Sequence, residues 1–91
     1  MSLVAVHLRI AGFVHGVSFR ATMAKTASDR RVKGWVRNLP DGTVEAVLEG
    51  RESDVLKVVD WAKRGPPRAT VQRVDVRHVP PRNFRDFRIE S

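Results

Sequence analysis

Arg20 and Asn38 are the two side chains best suited to work together on an anion. Arg20 closes the stretch GFVHGVSFR, residues 12–20, directly behind glycines at 12 and 16 and in the first turn of a predicted helix. The positive end of the helix dipole lies there, so a cation loses about 0.3–1 kcal/mol relative to a neutral residue unless something negative lies between them. A glycine-containing loop between a strand and a helix gathers backbone N–H groups at that end into a concavity suited to a phosphate. The guanidinium is a planar fork of donors that can hold two phosphate oxygens. The same pattern also fits a surface arginine on a helix whose loop needs glycine for its turn.

Asn38 ends a predicted strand immediately before Leu39-Pro40-Asp41-Gly42. An asparagine there commonly closes the turn through side-chain to backbone hydrogen bonds. Its carboxamide, both donor and acceptor, can equally orient a water molecule. The loop is no nucleotide cradle, since neither GxxxxGK[ST] nor GxGxxG occurs. The first acidic residue is Asp29, at the far end of the helix, so a site without metal is expected.

The rest of the chain must position these groups. At 91 residues it is long enough for one domain, 1–91, and one core. With no cysteine there is no disulfide framework, thiolate nucleophile or Cys/His zinc site. The net charge of +7, from 17 Lys and Arg against 10 Asp and Glu, suits a nucleic acid, an anionic membrane surface or a phosphorylated small molecule. The cations are scattered rather than blocked, which argues against a disordered basic tail. His7 and Arg9 interrupt the apolar N-terminal stretch, and no segment approaches the ~20 apolar residues of a membrane span, so a cytoplasmic protein is expected.

Residues 3–11 alternate, with Val4, Val6, Leu8 and Ile10 on one face, as in a half-buried strand. Helical spacing follows over 18–31, with Phe19, Met23, Ala27 and Arg30 along one stripe. Residues 32–38 and 43–50 read as antiparallel strands joined by a turn in which Asp41 and Gly42 both tolerate positive φ. A second helix is expected over 53–64, with Ser53 as N-cap and Gly65-Pro66-Pro67 as its stop. Residues 70–79 form a fourth strand, and 84–90 a short fifth with Phe87 and Ile89 inward. The expected fold class is α+β: a ferredoxin-like two-layer sandwich, βαββαβ, with two helices on one face of a mostly antiparallel sheet. His7 and His78 are expected to face solvent, and Trp35 and Trp61 to be packing residues.

VHGVSFR at 14–20 and KGWVRNLPDGTVEAVLEG at 33–50 together resemble the two blocks that mark the acylphosphatases, and RGPPRATVQRV at 64–74 continues the likeness. The resemblance spans essentially the whole chain. It implies a small metal-independent hydrolase, without cofactor, that splits the carboxyl–phosphate bond of acyl phosphates. It further implies that Arg20 and the backbone N–H groups of Val14, His15, Gly16, Val17, Ser18, Phe19 and Arg20 bind the phosphate, and that Asn38 positions the attacking water. The expected partners are an acyl phosphate and the inorganic phosphate product, with no nucleic acid and no membrane, and the expected state is a monomer. Phosphoryl transfer from a good leaving group asks mainly for positioning and charge stabilisation, so such a site can suffice.

The chain departs from that pattern at three places. His15 stands where relatives usually carry Gln, as a replacement hydrogen-bonding group or as a titrating imidazole beside the phosphate. Arg30 and Arg31 stand where relatives tend to have Leu and Gly, and Arg31 lacks glycine's ease in a left-handed cap. Some members end in Tyr, whose carboxylate lies near the arginine; this chain has Ser91 and no Tyr, and that contact is not carried over.

The rival from another class is an RNA-binding module of RRM-like topology, which Lys33-Gly34-Trp35 begins to match. The block continues without further aromatics, lies on the second strand, and the first strand has no aromatic to stack a base. A third reading makes the same fold an accessory domain, as in hydrogenase-maturation proteins; a chain of this length favours a free-standing enzyme.

Overall fold

The computed structural model describes residues 3–90, in the order β1 (Leu3–Phe13), α1 (Phe19–Asp29), β2 (Lys33–Asn38), β3 (Val44–Arg51), α2 (Glu52–Arg64), β4 (Thr70–Val79) and β5 (Phe87–Ile89). Ser91 lies outside the described residues. The strands form one sheet in the order β4-β1-β3-β2-β5. Val6, Leu8 and Ile10 of β1, Val36 of β2 and Val44, Ala46 and Leu48 of β3 meet Phe19, Met23, Ala27, Val55, Val58, Val59 and Ala62 of the helices in a single core. Full burial of each Val, Leu, Ile, Phe or Met side chain contributes roughly 1.5–3 kcal/mol, which makes this stripe the main source of stability.

Strand directions decide where a site can form. β1 and β2 each run antiparallel to β3, so they run parallel to each other on its two sides. β5 is parallel to β2, with Ile89 opposite Val36 and the Glu90 N–H donating to the Val36 carbonyl at 2.8 Å. The sheet is thus mixed, and the carboxyl ends of β1, β2 and β5 share one edge. β1 bulges between Ala11 and Gly12, where a Cβ on Gly12 would overlap the Thr70 carbonyl of β4. The bulge lengthens the strand by two residues beyond its alternating stretch and re-aims the chain toward that edge.

α1 starts one residue later than the spacing suggests and ends at Asp29. The N–H of Arg31 reaches the Ser28 carbonyl at 3.1 Å and that of Val32 the Ala27 carbonyl at 2.8 Å, the Schellman pattern, with Arg31 at φ 58°. Arg30, on the end of the apolar stripe, is exposed and pairs with Asp54 at 3.8 Å. α2 begins at Glu52 with Arg51 as N-cap, because β3 runs into it without a loop; Ser53 falls inside the helix. In the β2–β3 connection only Gly42 takes positive φ, at 91°.

Among the described residues Glu49 is the only buried charged group. Its carboxylate accepts the N–H groups of Arg82 at 2.6 Å, Asn83 at 3.2 Å and Phe84 at 2.9 Å. This clamp folds the β4–β5 connection back on the sheet and delivers β5 to the β2 edge.

Candidate active site

The site is built where the three carboxyl ends converge. Asn38 is the last residue of β2 and lies opposite Val44, the residue that Ile10 of β1 faces from the other side. The 14–18 loop follows β1 directly and leads into the N-terminus of α1. The loop is anchored from below: Val14, Val17 and Phe19 are buried in the core, and the Phe19 ring packs on Trp61 with centroids 5.1 Å apart.

Above these anchors the backbone alternates in hand. Gly16 has φ 70° and Ser18 φ 64°, on either side of a residue with negative φ. Such alternation points successive N–H groups to one side, forming an anion nest. Ser18 is the N-cap of α1, yet its left-handed backbone keeps its hydroxyl from capping the helix. Among the described residues no protein acceptor takes the N–H of any residue from His15 to Ala21. A Cβ on Gly16 would meet nothing within 4 Å, so glycine serves here for its φ and not for space.

A cleft of about 190 Å³ opens over this loop, lined by Val14, Gly16, Ser18, Phe19, Arg20, Ala21, Asn38 and Ile89. Arg20 is half-buried, and the first turn of its helix carries no acid. Among the described residues it has neither an ion-pair nor a hydrogen-bond partner. A cation at the positive helix end with no acidic neighbour leaves an anion in the cleft as its natural counter-charge. Asn38 is half-buried, and its Oδ1 is fully enclosed without a hydrogen-bond partner. No carboxylate lines the cleft, and among the described residues no three His, Asp or Glu side chains group as a metal would require.

Of the residues singled out in the loop, His15 and Val17 direct their side chains elsewhere. Val17 enters the core, and the His15 Nε2–H donates to the Thr43 carbonyl at 2.9 Å. Ala21 and Ile89 complete the lining without a sequence signal of their own. Ile89, expected to point inward, is 50% exposed at the cleft rim, while Phe87 packs on the core.

The hairpin that presents Asn38 is held by its own network. Asp41 accepts from the Thr43 hydroxyl at 2.6 Å and the Thr43 N–H at 3.0 Å, and pairs with Arg9 at 2.6 Å. These Thr43 bonds, then Arg9, lower the Asp41 carboxyl from 3.8 to about 2. One register step along, Glu45 bonds His7 and Arg37, each at 2.7 Å. Burial raises its pKa, but the bonds to His7 and Arg37 outweigh that, and the net shift is downward. His7 is therefore half-buried and hydrogen-bonded to Glu45 instead of facing solvent; His78 is exposed. Trp35, on the face away from the helices, is covered by the Arg37 guanidinium 5.2 Å from its ring centroid.

The family model described as acylphosphatase matches residues 6–89. The chain is 49% identical over 89 residues to an acylphosphatase of Thermococcus kodakarensis, covering 98% of each chain. It is 52% identical over 91 residues to an acylphosphatase of Pyrobaculum arsenaticum, covering 98% of this chain and 96% of that one. The crystal structure of acylphosphatase from Bacillus subtilis superposes with a TM-score of 0.94 at 30% identity, covering 97% of this chain and 99% of that one.

Proposed function

The chain belongs to the acylphosphatase family, and we propose that Arg20, the 14–20 loop and Asn38 carry out the family's reaction in the cleft at the sheet edge. That reaction is hydrolysis of the carboxyl–phosphate bond of an acyl phosphate to a carboxylate and inorganic phosphate. The backbone N–H groups of Val14, His15, Gly16, Val17, Ser18, Phe19 and Arg20 cradle the phosphate, and the Arg20 guanidinium holds two of its oxygens.

Asn38 orients a water on the side of phosphorus opposite the leaving carboxylate. The water oxygen forms a bond to phosphorus, the bond from phosphorus to the carboxylate oxygen breaks, and its electron pair leaves with the carboxylate. A non-bridging phosphate oxygen accepts the proton. The leaving group is stable as an anion, so the protein's share is alignment and stabilisation of charge on the equatorial oxygens.

One observation carries this reading: unpaired N–H groups, a cation without an acidic partner and an amide with an enclosed, unpartnered oxygen border the same cleft. The test is hydrolysis of benzoyl phosphate and acetyl phosphate in excess chelator. Arg20→Ala and Asn38→Ala are each expected to lose on the order of 10² to 10³ in turnover. Folded Arg20→Ala protein with parental turnover would overturn the assignment.

The same reading takes the working protein as a cytoplasmic monomer acting on a small molecule and not on nucleic acid. It is supported by the absence of cysteine, by the lack, among the described residues, of a helix long and apolar enough to cross a membrane, and by the cover that Arg37 places over Trp35. Analytical ultracentrifugation tests the monomer, and salt-dependent RNA titration tests the exclusion of nucleic acid.

A further inference from the structure

We infer that His15 is a positioning residue whose imidazole ties the phosphate loop to the hairpin carrying Asn38, setting the separation between bound phosphate and attacking water. The inference rests on the reading of the cleft given above. The Thr43 carbonyl has two donors. The Thr43 oxygen accepts the Nε2–H of His15 at 2.9 Å and the backbone N–H of Leu39, also at 2.9 Å. Leu39 directly follows Asn38. One lone pair of that oxygen therefore closes the hairpin beside Asn38, and the other receives the loop.

The chemistry of the acceptor fixes the state of the ring. A carbonyl can only accept, so Nε2 carries a hydrogen, as it does in the Nε2–H tautomer and in the imidazolium. The bond needs a directed N–H, not a charge.

The loop has no other such tie. Among the described residues this is the only hydrogen bond joining residues 14–18 to residues 38–44. Val14 and Val17 seat the loop in the core, but apolar contact is non-directional and sets depth more than lateral placement. The two halves of the site come from segments far apart in sequence, and the His15–Thr43 bond, spanning 28 residues, is the directional link between them. Attack on phosphorus is sensitive to the water–phosphate vector, and a misplacement of about 1 Å can cost on the order of 10²-fold in rate.

The experiment compares His15→Ala, His15→Gln, Asn38→Ala and the double variant His15→Ala/Asn38→Ala with the parent. Turnover and KM on benzoyl phosphate, inhibition by inorganic phosphate, and thermal melting are measured for each. His15→Ala is expected to lose roughly tenfold or more in kcat, while inhibition by phosphate changes far less because the N–H nest is intact. His15→Gln, whose amide N–H can reach the same carbonyl, recovers most of the loss. In the Asn38→Ala background, His15→Ala costs little more, because the group it aligns is gone.

Parental kcat in His15→Ala, no recovery by Gln, or an undiminished cost in the Asn38→Ala background each overturns the inference. If His15→Ala melts below the assay temperature, His15→Leu, which lacks the donor but keeps more volume, takes its place with the same expected outcomes. Parental turnover in Arg20→Ala and Asn38→Ala would instead sink the reading of the cleft itself, so the two failures are distinct.

Discussion

Ile10 and Asn38 stand level across the sheet, each opposite Val44, one on either side of β3. That register brings the Asn38 carboxamide to the end of the sheet where β1 gives way to the 14–18 loop. It also encloses the Asn38 Oδ1 without a partner, a desolvation cost of about 1–3 kcal/mol. Asn38→Ala removes the cost together with the proposed role in the reaction. The variant is expected to match the parent in chemical denaturation or exceed it by up to about 1 kcal/mol, while turnover collapses. A loss of stability of about 1 kcal/mol or more would show that the amide is there for the hairpin.

Arg31 sits at φ 58° in the left-handed position that closes α1, where a side chain costs roughly 1–2 kcal/mol relative to glycine. Greater freedom of glycine in the unfolded chain offsets part of this. Arg31→Gly is expected to stabilise the protein by about 0.5–1 kcal/mol in urea unfolding, with unchanged kcat because the residue is at the opposite end of the helix. Destabilisation would mean that Arg31 makes a compensating surface contact.

Glu49 is buried and holds three backbone N–H groups of the 82–84 turn. Hydrogen bonds to a charged group contribute about 1.5–3 kcal/mol each, and these three share one carboxylate. Glu49→Gln keeps only one good acceptor oxygen and is expected to cost roughly 2–4 kcal/mol, with faster amide exchange at residues 82, 83 and 84. Since this turn delivers β5, the KM for acyl phosphates should rise as Ile89 loses its place at the cleft rim. Exchange rates equal to those of the parent would refute the clamp.

Acid is expected to loosen the hairpin in a defined window. The Asp41 carboxyl is lowered from 3.8 to about 2 by Thr43 and Arg9, so its stabilising effect is complete above 3.8 and lost as pH falls toward 2. Glu45, lowered by His7 and Arg37 despite its burial, acts in the same direction. In melts run from pH 6 down to about pH 2, Asp41→Asn should melt below the parent at the upper end and converge with it at the lower end. A constant gap across the range would assign the difference to something other than this ionisation.

Much of the fold is legible in local pattern. The alternation of Val4, Val6, Leu8 and Ile10, the helical stripe of Phe19, Met23 and Ala27, and the glycines at 12, 16 and 42 mark strand, helix and turns through periods and backbone preferences that a short window contains. Arg20 behind its glycine loop and Asn38 before its turn are legible as candidates for the same reason. Ser53 misleads, because a cap residue must keep an extended backbone at the helix start, and β3 enters α2 directly with Arg51 in that place and Ser53 already helical.

The sequence by itself determined which stretches could be strands, which helices, and which side chains could serve an anion. Only the tertiary structure decided that β1, β2 and β5 end on the same side of the sheet, that Ile89 joins the cleft, that Glu49 clamps the distant 82–84 segment and that the His15 imidazole bonds the Thr43 carbonyl. The physical reason is range. Side-chain periodicity and turn chemistry act over a few residues, whereas strand direction, register and the partner of a buried donor or acceptor are settled only when segments tens of residues apart pack together.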